Sequence, residues 1–140
     1  MIKIYTDVST RGGNAVATCF ITSTTNFIGY RIFEYTQICS ALQGELLGIR
    51  DGLQYLQSLD ISDREVLLYC DSQAALDQIN GVSKTPMFKT LISDIQKECS
   101  DLDIKFYYIQ GHQRSHNPNK VVDLISKSAL GFKHPVNSNK

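Results

Sequence analysis

The order of strand-like and helix-like segments constrains this chain most. Residues 1–7 (MIKIYTD) are β-rich and end on an acid. Gly12-Gly13 marks a turn. Residues 15–22 (AVATCFIT) and 27–36 (FIGYRIFEYT) are β-rich again, split by the polar Ser23-Thr24-Thr25-Asn26. These three segments read as an antiparallel meander. The pattern then changes. Leu42, Leu46, Ile49, Leu53 and Leu56 recur at helical spacing behind Ser40, a suitable N-cap. Residues 66–71 are a short apolar run of buried-strand length. A helix follows from Ser72 to about Asn80 and stops at Gly81; Pro86 starts another that runs to about Cys99. Residues 104–110 (IKFYYIQ) form a fifth strand, 111–118 a polar loop and 119–130 a last helix.

This order predicts an α/β fold, a five-stranded mixed sheet with helices on both faces. Right-handed crossovers place the fourth strand beside the first and the fifth beyond it, giving the order 3-2-1-4-5. One domain is expected over 1–130. Residues 131–140, with Pro135 and Asn137-Ser138-Asn139, read as a flexible tail.

Four carboxylates stand out against that frame. Asp7 closes the first apolar run and Asp71 the run Val66-Leu67-Leu68-Tyr69-Cys70. Glu45 lies in the first helical stretch and Asp123 in the last, Val121-Val122-Asp123-Leu124-Ile125. An ionised carboxylate among apolar neighbours is costly unless it is paired or holds a metal. The predicted topology sets Asp7 and Asp71 at the C-terminal ends of adjacent strands, where sites form in open α/β sheets. One hard-cation site would account for all four acids. Each also has an ordinary reading. Asp7 can be a strand-end turn residue, Asp71 an N-cap, and Glu45 and Asp123 first-turn acids of their helices.

Composition narrows the class further. Fourteen basic residues balance 14 acidic ones, which excludes a strongly basic nucleic-acid binder. With four acids set aside for metal, bases outnumber the remaining acids, and the outer surface becomes mildly positive. No apolar run approaches membrane-spanning length. Met1-Ile2-Lys3 leads straight into a strand, so no signal peptide is expected. Cys19, Cys39, Cys70 and Cys99 lack CxxC spacing and fit free thiols in a reducing cytoplasm.

At these motifs the chain resembles the ribonuclease H family, type 1. Tyr5-Thr6-Asp7-Val8-Ser9 is similar to that family's first-strand aspartate motif, and Gly44-Glu45-Leu46-Leu47-Gly48-Ile49 to its helix glutamate. Tyr69-Cys70-Asp71-Ser72-Gln73 resembles its fourth-strand aspartate followed by Ser-Gln. Gly111-His112 and Asn119-Lys120-Val121-Val122-Asp123 resemble its mobile histidine loop and last-helix aspartate. The match spans roughly residues 1–130, and the order of the motifs is more specific than any one of them.

The resemblance implies a metal-dependent endonuclease that cuts the RNA strand of RNA/DNA hybrids. Asp7, Glu45, Asp71 and Asp123 would hold two Mg²⁺ ions, with Mn²⁺ as a substitute. Asp7 would bridge the ions, Glu45 and Asp71 would serve the leaving-group side, and Asp123 the nucleophile side. His112 would move protons or help product leave, with His116 as its rival; His134 is incidental. Ser9, Ser40, Ser72 and Gln73 are candidate substrate contacts, although Ser72 and Gln73 are also good helix-start residues. Tyr107 and Tyr108 read as core packing, and Lys84, Lys89 and Lys97 as solvated surface.

The chain also departs from the family pattern. Its first turn, Thr10-Arg11-Gly12-Gly13-Asn14, is short, and Ala41 and Leu42 stand where the family often has polar hybrid contacts. Only Gly81-Val82-Ser83-Lys84-Thr85 links the middle helices, without a basic protrusion. These departures imply weak, salt-sensitive binding, and either a further substrate-binding domain or partner or an intrinsically feeble activity. Two other functions stay open: a related metal-dependent nuclease of another nucleic acid, and a degenerate non-catalytic binding module.

Overall fold

Strand β1 (Ile2–Arg11) turns directly into β2 (Asn14–Ser23). Gly12 and Gly13 supply the turn, with φ of 56° and 85°. A two-residue loop of type I′ takes positive φ at both positions, which glycine adopts without strain. Strand β3 (Phe27–Tyr35) completes the meander, and helix α1 (Ala41–Ser58) follows. Strand β4 (Glu65–Cys70) leads into α2 (Gln73–Ile79). A 3-10 turn (Pro86–Phe88) precedes α3 (Lys89–Cys99), where sequence suggested one continuous helix from Pro86. Strand β5 (Asp103–Tyr108) comes last. The structure is a computed structural model and describes residues 1–110. The expected last helix at 119–130 and the tail at 131–140 lie outside the described residues.

The sheet has the expected order, β3-β2-β1-β4-β5. β1 pairs antiparallel with β2 and parallel with β4, and β4 pairs parallel with β5. One face carries Ile2, Ile4, Ile21, Val66, Leu68 and Cys70. The buried residues of α1, α2 and α3, among them Leu46, Ile49, Leu53, Leu76 and Ile95, join them in one core. The opposite face carries an aromatic row. Tyr5 stacks on Tyr69 with centroids 5.0 Å apart, and Tyr69 on Tyr107 at 5.5 Å, as the register of the three strands dictates.

Tyr107 and Tyr108 are 42% and 47% exposed, so core packing does not describe them. Tyr107 continues the aromatic row on the edge strand.

Helix α1 lies unusually close to the sheet. Gly44, Gly48 and Gly52 form one seam along it, four residues apart. A Cβ on Gly48 would come 2.9 Å from Ala17 Cβ and 3.2 Å from Val8 Cγ2. A Cβ on Gly52 would meet Cys19 Sγ at 3.2 Å. At Gly48 a methyl would force helix or sheet to shift, and at Gly52 it would fit only if Cys19 gave way by a few tenths of an ångström. At the far end of β3, Tyr35 donates its hydroxyl to Asp51 of α1, which Arg50 also contacts at 2.9 Å.

Candidate metal centre

The parallel ladder between β1 and β4 runs from Ile2↔Val66 to Thr6↔Cys70. Asp7 and Asp71 are the next residue on each chain. Asp7 does not end β1, as sequence suggested. The strand continues to Arg11 because Asp7, Val8, Ser9 and Thr10 keep their pairing with β2. What ends before Asp7 is the pairing with β4, whose chain turns away into α2. The side-by-side placement of the two aspartates therefore survives the correction.

Glu45 sits in the second turn of α1, directly after Gly44. One carboxylate oxygen from each of Asp7, Glu45 and Asp71 can be chosen so that all three lie within 4.8 Å of one another. Asp7 is 2% exposed, and Asp7 Oδ2 and Glu45 Oε1 are shut off from solvent. The ordinary readings fail for two of these acids. The first turn of α1 holds no acidic residue, and α2 is capped by Ser72, whose Oγ accepts from Ala75 N at 3.1 Å. Asp71 is thus not needed as a cap. Asp123, His112 and His116 lie outside the described residues.

The donors present fit a hard divalent cation. They are carboxylate oxygens, which suit Mg²⁺ and Mn²⁺. The neighbouring thiol does not compete. Burial pushes Cys70 up to about 12; a backbone bond at Ser72 pulls the other way, and the charges of Glu45, Asp71 and Asp7 push it higher. Cys70 Sγ donates to Ser72 O at 3.6 Å and belongs to the apolar core, and a hard cation prefers oxygen. Ser9 lies two residues beyond Asp7 on the same side of β1. Its Oγ is buried, with the residue 6% exposed, and has no hydrogen-bond partner among the described residues. A buried hydroxyl without a partner is costly.

The other expected contacts have local duties. Ser40 Oγ caps α1 by accepting from Gln43 N at 3.1 Å, and Gln73 Nε2 donates to Asp77 Oδ1 at 2.9 Å. Sequence reasoning missed the glycine seam, although its four-residue spacing is plain in Gly44-Glu45-Leu46-Leu47-Gly48-Ile49-Arg50-Asp51-Gly52. It also scattered lysines that fold together. Lys84 and Lys89 line one cavity of about 650 Å³ with Gln78, Thr85, Ile92 and Gln96 between α2 and α3.

A five-stranded sheet of this order, with acids delivered by β1, β4 and the first helix, defines the ribonuclease H-like class of α/β proteins. The family model described as RNase H matches residues 1–130, and the chain belongs to that family. Among curated proteins no sequence match was found. Solved structures agree on the fold. The RNase H1 of the halophilic archaeon Halobacterium salinarum NRC-1 superposes with a TM-score of 0.78 at 15% identity, covering 93% of this chain and 97% of that one. LC11-RNase H1, isolated from compost by a metagenomic approach, gives 0.78 at 22% identity, covering 93% and 95%. Its complex with an RNA/DNA hybrid gives 0.73 at 22% identity, covering 93% and 99%.

Proposed function

We propose that this protein is a divalent-metal-dependent endoribonuclease that hydrolyses the RNA strand of RNA/DNA hybrids and leaves a 5′-phosphate. Membership of the RNase H family supports a nuclease. The observation that carries the metal-dependent reading is the convergence of Asp7, Glu45 and Asp71 within 4.8 Å. Three anionic groups this close repel one another unless a cation joins them.

Asp7, Glu45 and Asp71 would hold Mg²⁺ or Mn²⁺, with Asp123 as a fourth ligand. When bound, a pair of such ions supplies a hydroxide nucleophile and neutralises charge on the attacking and leaving oxygens. The chain itself fixes the ligands. The ladder from Ile2 to Thr6 holds two aspartates side by side, and the glycine seam brings the glutamate to them. Burial of Asp7 excludes bulk water around it, which strengthens its electrostatic hold on a cation. His112 is the proposed proton carrier. Ser40 and Ser72 accept with Oγ at helix starts and keep an O–H to donate to a substrate phosphate, with Gln73 beside them.

Among the described residues no helix is long and apolar enough to cross a membrane. Four free thiols suit a reducing compartment such as the cytoplasm. One observation favours a second reading, a related nuclease of another nucleic acid. Leu42, where the family often has a polar hybrid contact, packs against the core and offers no hydrogen bond to a 2′-hydroxyl.

Matched hybrid, DNA and RNA duplexes incubated with Mg²⁺, Mn²⁺ or chelator decide between the two. The leading reading expects cleavage of the RNA strand of the hybrid alone, with metal alone. Cutting of another duplex in preference supports the second reading. No cutting of any duplex, with binding retained, would support the non-catalytic module.

A further inference from the structure

Helix α1 carries Glu45 but begins poorly. Its first turn holds no acidic residue, so no carboxylate there offsets the positive end of the helix. Gly44 follows at once, with Gly48 and Gly52 beyond it, and glycine is the weakest helix former after proline. Left to propensity, the turn that leads into Glu45 would fray.

Side-chain and backbone contacts hold it instead. Ser40 Oγ accepts from Gln43 N at 3.1 Å, an ordinary N-cap. Gln43 reaches back in return. Its Oε1 accepts from Cys39 N at 2.7 Å, one residue before the cap. Ile38 donates its N–H to Gly13 O at 2.9 Å, and its Cδ1 lies 3.5 Å from where a Cβ on Gly44 would stand. The chain entering α1 is thereby tied to the turn between β1 and β2. The Gln43 amide then joins that anchored chain to the first helical turn.

Glu45 stands about 3 Å further along the helix axis than Gln43. Its carboxylate meets those of Asp7 and Asp71 within 4.8 Å. Mg²⁺ demands near-ideal geometry, so a loosened first turn would cost the site its third acid.

We infer that Gln43 is a positioning residue of the metal centre: its side-chain carbonyl, bonded to Cys39 N, fixes the turn from which Glu45 reaches the two aspartates. It touches neither ion nor substrate. The inference rests on the metal-dependent reading above.

Three variants test it. Gln43→Ala removes the bond to Cys39 N. Gln43→Glu keeps an acceptor for it and suits a helix N-terminus. Gln57→Ala is the control, because Gln57 ties the other end of α1 to Glu98 O at 3.0 Å and to Asp101 Oδ1 at 2.9 Å. Mg²⁺ is titrated calorimetrically into parent and variants, and melting temperatures are recorded without metal. Gln43→Ala should bind Mg²⁺ roughly three- to tenfold more weakly, as the fraction of chains with a formed first turn falls. Gln43→Glu should bind at or above the parent affinity. Gln57→Ala should melt lower and keep the parent affinity. A lower melting temperature with unchanged affinity in Gln43→Ala makes the residue a cap and nothing more, and overturns the inference. Gln43→Glu binding as weakly as Gln43→Ala overturns it, and so does an equal loss of affinity in Gln57→Ala. If the parent itself binds no Mg²⁺, the metal-dependent reading fails and this inference falls with it.

Discussion

Thr6 and Cys70 form the last pair of the parallel ladder between β1 and β4, so Asp7 and Asp71 stand side by side one step further on. Two carboxylates so placed are a consequence of register. A one-residue slip would turn every side chain of one strand to the other face and break the pair.

Removing charge from either Asp71 or Glu45, as Asp71→Asn or Glu45→Gln, should lower hybrid cleavage by roughly a hundredfold or more, the scale of losing several kcal/mol of charge stabilisation. Metal-free melting temperature should hold or rise, because like-charge repulsion among the three acids is relieved. Cleavage rates with melting curves check this. A destabilised variant with normal turnover would contradict it.

Gly48→Ala tests the seam. The added methyl would meet Ala17 Cβ at 2.9 Å, and neither partner has a flexible end to move aside. Overpacking should cost ~1–3 kcal/mol, partly offset by the better helix propensity of alanine, ~1 kcal/mol. Because α1 must lift from the sheet, Glu45 moves with it. Chemical denaturation should show the loss, and Mg²⁺ titration should show weaker binding than stability alone explains.

Thiol chemistry gives a pH prediction. Burial pushes Cys19 up to about 12 from an ordinary 9.0, and Cys70 likewise. A folded-state pKa raised above the unfolded one means that the folded protein holds the proton more tightly. Its contribution to stability is complete below pH 9 and is lost as pH rises toward 12. Alkaline unfolding in that window should follow. At pH 8 a thiol reagent should label exposed Cys39 first, half-buried Cys99 more slowly, and Cys19 and Cys70 only after denaturation.

Lys84 and Lys89 share a cavity whose lining, among the described residues, holds no acid. If nucleic-acid phosphates pass there, Lys84→Glu with Lys89→Glu should weaken duplex binding and flatten its dependence on salt. About two fewer counterions would be released. Affinity measured across a salt series checks this, and an unchanged slope would show that both lysines are merely solvated.

Sheet order was legible in the sequence because each strand carried its own apolar pattern and crossover handedness left one arrangement. Asp7 and Asp71 could be paired by the same logic. The length of β1 was not legible. Val8-Ser9-Thr10-Arg11 is polar enough to read as loop, and pairing with β2 keeps it extended. Nor was the capping of α2, because Asp71 and Ser72 are both good N-caps and local preference does not choose between them. Tyr107 was misread as core because burial on an edge strand depends on what lies beyond it. The burial of Ser9 was equally hidden, since a serine in a strand carries no signal of how many neighbours enclose it.

The central claim is that acids from β1, β4 and α1 hold a divalent cation that hybrid cleavage requires. Calorimetric titration of Mg²⁺ into the parent and into Asp7→Asn, with RNA-strand cleavage followed in the same samples, tests it most directly. The account predicts that the parent binds and cuts, and that the variant does neither while remaining folded. Metal binding of equal strength in the variant, or cleavage by the parent in chelator, would contradict it.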